Sequence, residues 1–112
     1  MPQLKPDTVL SDFQAYVIAI EAERGFSGQT PVEKCLLLGE EVGELFKAVR
    51  NVQGIAIDDA FAGGEIADEL ADILIYLCAI ANRYQIDLET AFRTKEERNR
   101  LRTWSSRTAA AG

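Results

Sequence analysis

Two stretches of the chain repeat one pattern of apolar and polar positions. Cys35, Leu38, Val42, Leu45, Val49 and Val52 alternate three and four residues apart, and Ile66, Leu70, Ile73, Leu77, Ile80 and Tyr84 do the same. That spacing is the seam of a tightly packed bundle helix. It predicts one long helix from Thr30-Pro31 to about Asn51 and a second from about Glu65 to Tyr84. Thr30-Pro31-Val32-Glu33 is a strong start for the first, with Thr as N-cap, Pro at the first helical position and Glu at the third. A helix ahead of the pair is expected from Thr8 or Ser11 to Arg24, with Phe13, Tyr16, Val17 and Ile20 as its stripe. Ser11 and Gln14 have the form of a capping box, and Gly25 ends the helix. A last helix begins at Asp87, a fitting N-cap, and reaches about Trp104.

The remainder is connection. Pro2 and Pro6 mark an irregular start. Residues 53–64 carry Gly54, Gly63 and Gly64, with Asp58-Asp59 able to open a short helical turn. Residues 105–112 read as a flexible tail. No strand pattern is present, so the expectation is an all-α four-helix bundle in one domain, 1–112, with its core over about 8–104. Gly39 and Gly43 each cost up to about 1 kcal/mol against alanine inside a helix. Either they admit close approach of a helix or ligand, or they are merely tolerated.

Apolar residues make up 47% of the 112, which is a globular composition, and the net charge is −6. An acidic chain is a poor non-specific binder of nucleic acid, because that binding is driven by phosphate neutralisation. It does not exclude a phosphate-bearing substrate, since metal ions supply positive charge. Cys35 and Cys78 lie in apolar helical runs and are expected to be small buried residues. No signal pattern and no apolar run near the ~20 residues of a membrane span is visible, so the cytoplasm is the expected compartment.

The acids follow the repeat. With residues 68–72 set 28 positions behind 40–44, Glu40 falls on Asp68, Glu41 on Glu69 and Glu44 on Asp72. Four heptads separate the copies, so both helices carry acids at one angle to their seam. Glu41 and Glu44 share a flank, as do Glu69 and Asp72. If the helices pack through their seams, four carboxylates meet, and like charges that close need neutralising. The chain has no histidine. Oxygen donors alone suit a hard ion, Mg²⁺ or Mn²⁺. The bland alternative is a pair of solvated helix flanks, and spacing by itself leaves the two about even.

The wording of the segments resolves more. Gly39-Glu40-Glu41-Val42-Gly43-Glu44-Leu45, then Asp68-Glu69-Leu70-Ala71-Asp72, then Lys95, Asn99 and Arg102 ahead of Trp104, resembles the MazG-type nucleoside triphosphate pyrophosphohydrolases. The resemblance implies an all-α, oligomeric (dimeric or tetrameric), Mg²⁺-dependent hydrolase that cleaves nucleoside triphosphates to monophosphate and pyrophosphate, in nucleotide-pool house-cleaning. It implies Glu41, Glu44, Glu69 and Asp72 as metal ligands, with Glu40 holding a further ion or activating water. It also implies Lys95 and Arg102 on phosphate oxygens and Asn99 on phosphate or sugar. Tyr76, one turn beyond Asp72, is placed to touch sugar or base. Phe13, Tyr16, Phe26 and Trp104 are stacking candidates, though core or interface packing is the commoner role of such residues. Two alternatives stand beside this: a phosphoribosyl-ATP pyrophosphohydrolase using the same acids, and a non-enzymatic helical dimerisation or regulatory module.

Overall fold

The computed structural model describes residues 9–55 and 65–102. Four helices account for nearly all of them: α1 (Leu10–Arg24), α2 (Pro31–Val52), α3 (Ile66–Arg83) and α4 (Leu88–Leu101), with no strand among the described residues. α3 is the central element, packed on α2 and on α1, while α4 rests on α1. Asp58-Asp59, Trp104 and the 105–112 tail fall outside the described residues.

Local chemistry explains the helix ends. The Thr30 hydroxyl accepts from the Glu33 amide at 3.1 Å, and the Glu33 carboxylate accepts from the Thr30 amide at 3.2 Å, as the sequence led one to expect. Asp87 caps α4 through the Thr90 amide at 2.9 Å. At the end of α1, Gly25 takes φ 79°, a left-handed angle that a glycine adopts without Cβ strain. The Phe26 amide then turns back to the Glu21 carbonyl at 2.8 Å, which fixes where the next loop begins.

The start of α1 differs from expectation. Asp12, not a Ser11–Gln14 box, caps it, its carboxylate accepting the Val9 amide at 3.0 Å. Gln14 is buried and engaged elsewhere. Its Nε2 donates to Asn82 Oδ1 and to the Ile86 carbonyl, and its Oε1 accepts from the Leu88 amide at 2.8 Å. One side chain thus ties α1 to the α3–α4 turn and satisfies an otherwise orphaned amide at the start of α4.

The buried apolar set is made of modest side chains: Val17, Ile20, Ala48, Cys78, Ala79 and Ala81, with Phe13 and Leu88 packed against it. Small residues on α3 let α1 approach closely. Cys78 is buried as expected, but Cys35 is exposed, because the part of the seam it occupies is not covered within the chain. The same holds for other seam and neighbouring positions: Val49, Val52, Leu70 and Leu77 are exposed, as are Leu36 (69%) and Phe46 (67%). A Cβ built on Gly39 or Gly43 meets nothing within 4 Å among the described residues, so no close approach there requires either glycine.

Candidate metal centre and adjoining cleft

The antiparallel run of α2 against α3 brings the acidic turns together. One carboxylate oxygen each from Glu41, Glu69 and Asp72 lies within 4.8 Å of the others. Glu69 is buried, and its Oε2 has no hydrogen-bond partner among the described residues. A buried carboxylate oxygen left unpaired is costly, and a hard cation is the natural partner for it. The three acids therefore fit a divalent ion.

Electrostatics agree. The Glu41 carboxyl is pushed up to about 7, first by a hydrogen bond with Glu69, then by burial, then by the charges of Asp72, Glu69 and Glu44. In the ion-free site Glu41 therefore keeps its proton to about 7 and is hydrogen-bonded to Glu69 where an ion would sit. Glu44 lies close enough to act on Glu41 by charge, but its oxygen is outside the group of three, and it pairs with Lys47 at 3.5 Å. Glu40 is exposed.

A cleft of about 440 Å³ opens beside the acids, walled by α1, the α1–α2 loop, α2 and α3. Glu41 and Asp72 stand at one end. Phe26, Gln29, Lys34 and Tyr76 are among the other lining residues. On α3, Asp72, Tyr76, Ala79 and Arg83 follow each other at four-, three- and four-residue steps, so they share one face. Tyr76 is half-buried in the wall. Burial, then the charges of Glu41, Asp72, Glu40 and Glu21, hold its phenol above the usual range, so it stays a neutral donor.

Three charged residues that sequence reasoning did not single out form a buried network at the cleft wall, Glu21 and Lys34 within its lining and Arg83 outside it. The Glu21 carboxylate receives Lys34 Nζ at 2.8 Å and both terminal nitrogens of Arg83 at 2.9 and 3.0 Å. Burial would raise the Glu21 carboxyl, but the hydrogen bonds and charges of Arg83 and Lys34 outweigh it and leave it below its ordinary value. Lys34 Nζ also lies 5.3 Å from the Phe26 ring centre and 5.4 Å from that of Tyr76, cation–π distances that fix both rings. The sequence did hold a signal. Glu21 is in register with Gln14 and Val17 on the buried face of α1, and a charge at a stripe position implies a buried partner.

The sequence-expected residues of α4 lie elsewhere. Lys95 and Arg102 are exposed, Asn99 is half-buried, and none of the three lines this cleft. Among the stacking candidates, Phe26 lines the cleft, Phe13 packs on the core, and Tyr16 is half-buried.

An α-helical hairpin that gathers carboxylates from both arms beside a polar–aromatic cleft defines a helical protein with an acidic cluster able to hold a metal ion. The family comparison names it further. Residues 29–103 match the MazG nucleotide pyrophosphohydrolase domain. The chain belongs to that family of hydrolases. The match spans α2, α3 and α4, while α1, Arg24 and Phe26 precede it. No curated protein matches the chain.

Proposed function

We propose that this protein is a Mg²⁺-dependent pyrophosphohydrolase that cleaves a ribo- or deoxyribonucleoside triphosphate to monophosphate and pyrophosphate. The observation that carries this is the Glu41–Glu69–Asp72 group with its orphaned Glu69 oxygen, two of whose members, Glu41 and Asp72, line the cleft. These three acids, with Glu44 as the fourth of the repeat and Glu40 beside them, hold the ion or ions. When bound, Mg²⁺ neutralises phosphate charge and makes attack by water feasible near pH 7. The rest belongs to the chain. In the ion-free site the Glu41 carboxyl keeps its proton to about 7, so loading the site with metal at neutral pH releases that proton. Tyr76 and Phe26 offer ring surfaces to sugar and base. Lys95 and Arg102 are assigned to phosphate, and Asn99 to phosphate or sugar, by the family resemblance alone. Mn²⁺ is the expected substitute ion, and a role in nucleotide-pool house-cleaning in the cytoplasm is part of the same proposal. A panel of nucleoside triphosphates with pyrophosphate detection in Mg²⁺ tests it. No metal-dependent pyrophosphate release across the panel would favour a regulatory helical module instead, and release confined to phosphoribosyl-ATP would move the activity to that substrate.

The acids set a pH dependence whose sign is fixed. Glu41 has its folded carboxyl raised to about 7 from an ordinary 4.5. Its contribution to metal-free stability is therefore full below the ordinary value and lost as pH rises through about 7. An ion must displace the Glu41 proton, so metal binds better at higher pH. Millimolar Mg²⁺ is expected to raise the melting temperature more at pH 8 than at pH 6. An unchanged melting curve at both pH values would remove the preformed site.

The exposed apolar residues of α2 and α3 lead us to propose a homodimer or homotetramer. A chain of this size is expected to cover such a surface with another copy rather than leave it to water. Light scattering at micromolar concentration should return a multiple of 12.4 kDa. A monodisperse monomer would overturn it.

A further inference from the structure

We infer that Arg83 is a positioning residue, which holds the α1–α2 loop as the wall of the cleft that receives the nucleoside part of the substrate. The inference rests on the pyrophosphohydrolase proposal for its substrate, but the pinning itself stands on geometry. An arginine guanidinium has five N–H donors in a fixed plane. At Arg83 all three nitrogens are engaged. Nε donates to the Gln29 carbonyl at 2.7 Å. One terminal nitrogen donates to Glu21 Oε1 and to the Ala79 carbonyl, both at 2.9 Å. The other donates to Glu21 Oε2 at 3.0 Å and to the Phe26 carbonyl at 3.1 Å. Two of these acceptors, Phe26 and Gln29, bracket the loop, and both residues line the cleft. A third, Glu21, sits on α1 and also carries Lys34 of α2. One side chain from the end of α3 thus joins α1, the loop and, through Glu21, α2.

Distance separates this device from the acids. Arg83 lies eleven residues beyond Asp72 on one helix, roughly 16 Å along its axis. It touches neither the metal group nor the open cleft, whose lining does not include it. Loosening the loop should therefore weaken capture of the nucleoside and leave the phosphate chemistry in place. A simple buried ion pair with Glu21 would be restored by lysine, which keeps the charge. Lysine lacks the planar fork and cannot reach the two loop carbonyls and both Glu21 oxygens together.

The test uses Arg83→Lys and Arg83→Met in the full chain. Amide hydrogen exchange, without substrate, should speed up at least tenfold at Phe26 and Gln29 in both variants, with the α2–α3 hairpin unchanged. In Mg²⁺, KM for the triphosphates turned over by the wild-type protein should rise at least tenfold in Arg83→Lys while kcat stays within threefold. Binding of inorganic tripolyphosphate, which has no nucleoside, should stay within twofold. Wild-type exchange rates at the loop in Arg83→Lys, or equal losses for nucleotides and tripolyphosphate, would overturn the inference. If the wild-type protein turns over no nucleotide but binds one, and Arg83→Lys loses that binding, the positioning role stands and the hydrolase proposal falls. If it binds none, both fall.

Discussion

Glu69→Gln should reduce turnover of nucleoside triphosphates at least a hundredfold, roughly 2.7 kcal/mol in the barrier, in a protein that remains folded. Glutamine keeps the size and helix propensity of the residue it replaces. It removes a full charge and one acceptor from the oxygen group made with Glu41 and Asp72. The replaced carboxylate is buried at 7% exposure with one oxygen unpaired, so it cannot be counted as a solvated flank. Metal-free stability should hold or rise, because Glu41 no longer faces a second carboxylate. The loss should appear in Mg²⁺ affinity and in kcat together. A flank residue would be silent in function and change stability by at most ~0.5 kcal/mol. Wild-type turnover at saturating Mg²⁺ in this variant would sink the metal assignment.

The second large effect concerns folding. Glu21→Ala should destabilise the chain by about 3–5 kcal/mol, lowering the melting temperature by roughly 10–20 °C. Alanine would leave Lys34 and Arg83, 4% and 12% exposed in their side chains, as two facing cations without their shared anion. The exposed pairs Arg93–Glu89 and Arg100–Glu97 provide the contrast, each worth about 0–1 kcal/mol. Chemical denaturation of Glu21→Ala beside Glu89→Ala measures the difference. Equal, small losses would show that the buried triad is not a stabilising element.

What the sequence revealed and what it hid divide along the range of the interactions. Thr30, Glu33 and Asp87 act within one helical turn, and each cap is present as its neighbours dictate. The acid repeat was legible because helix periodicity sets Glu41 and the α3 acids at one angle to their seams, but only the packing of α2 on α3 brings Glu41, Glu69 and Asp72 together. Gln14 misled because its position suggested a local cap, while its bonds run to Asn82, Ile86 and Leu88, far along the chain. Cys35 misled because an amphipathic stripe says which side is apolar, not what covers it. Glu21, Lys34 and Arg83 come from three helices, and no spacing rule joins them. The cleft wall that Glu21 and Lys34 help to build depends on where α1 packs, which no spacing rule gives.

That division of labour has an evolutionary consequence. The carboxylates belong to two helices adjacent in sequence, whereas the far wall of the cleft is supplied by α1 and the turn after it. Substitutions that drift into α1, Phe26 or Gln29 can alter which molecule is admitted without moving any acid of the hairpin. Selection can therefore vary the cleft wall on one segment while the carboxylates are inherited unchanged on another. In such a chain, divergence between descendants should accumulate first at cleft-lining side chains that hold no part of the core, such as Arg24, Phe26 and Gln29, while Gln14, Val17, Ile20 and Glu21 of α1 stay fixed with the hairpin.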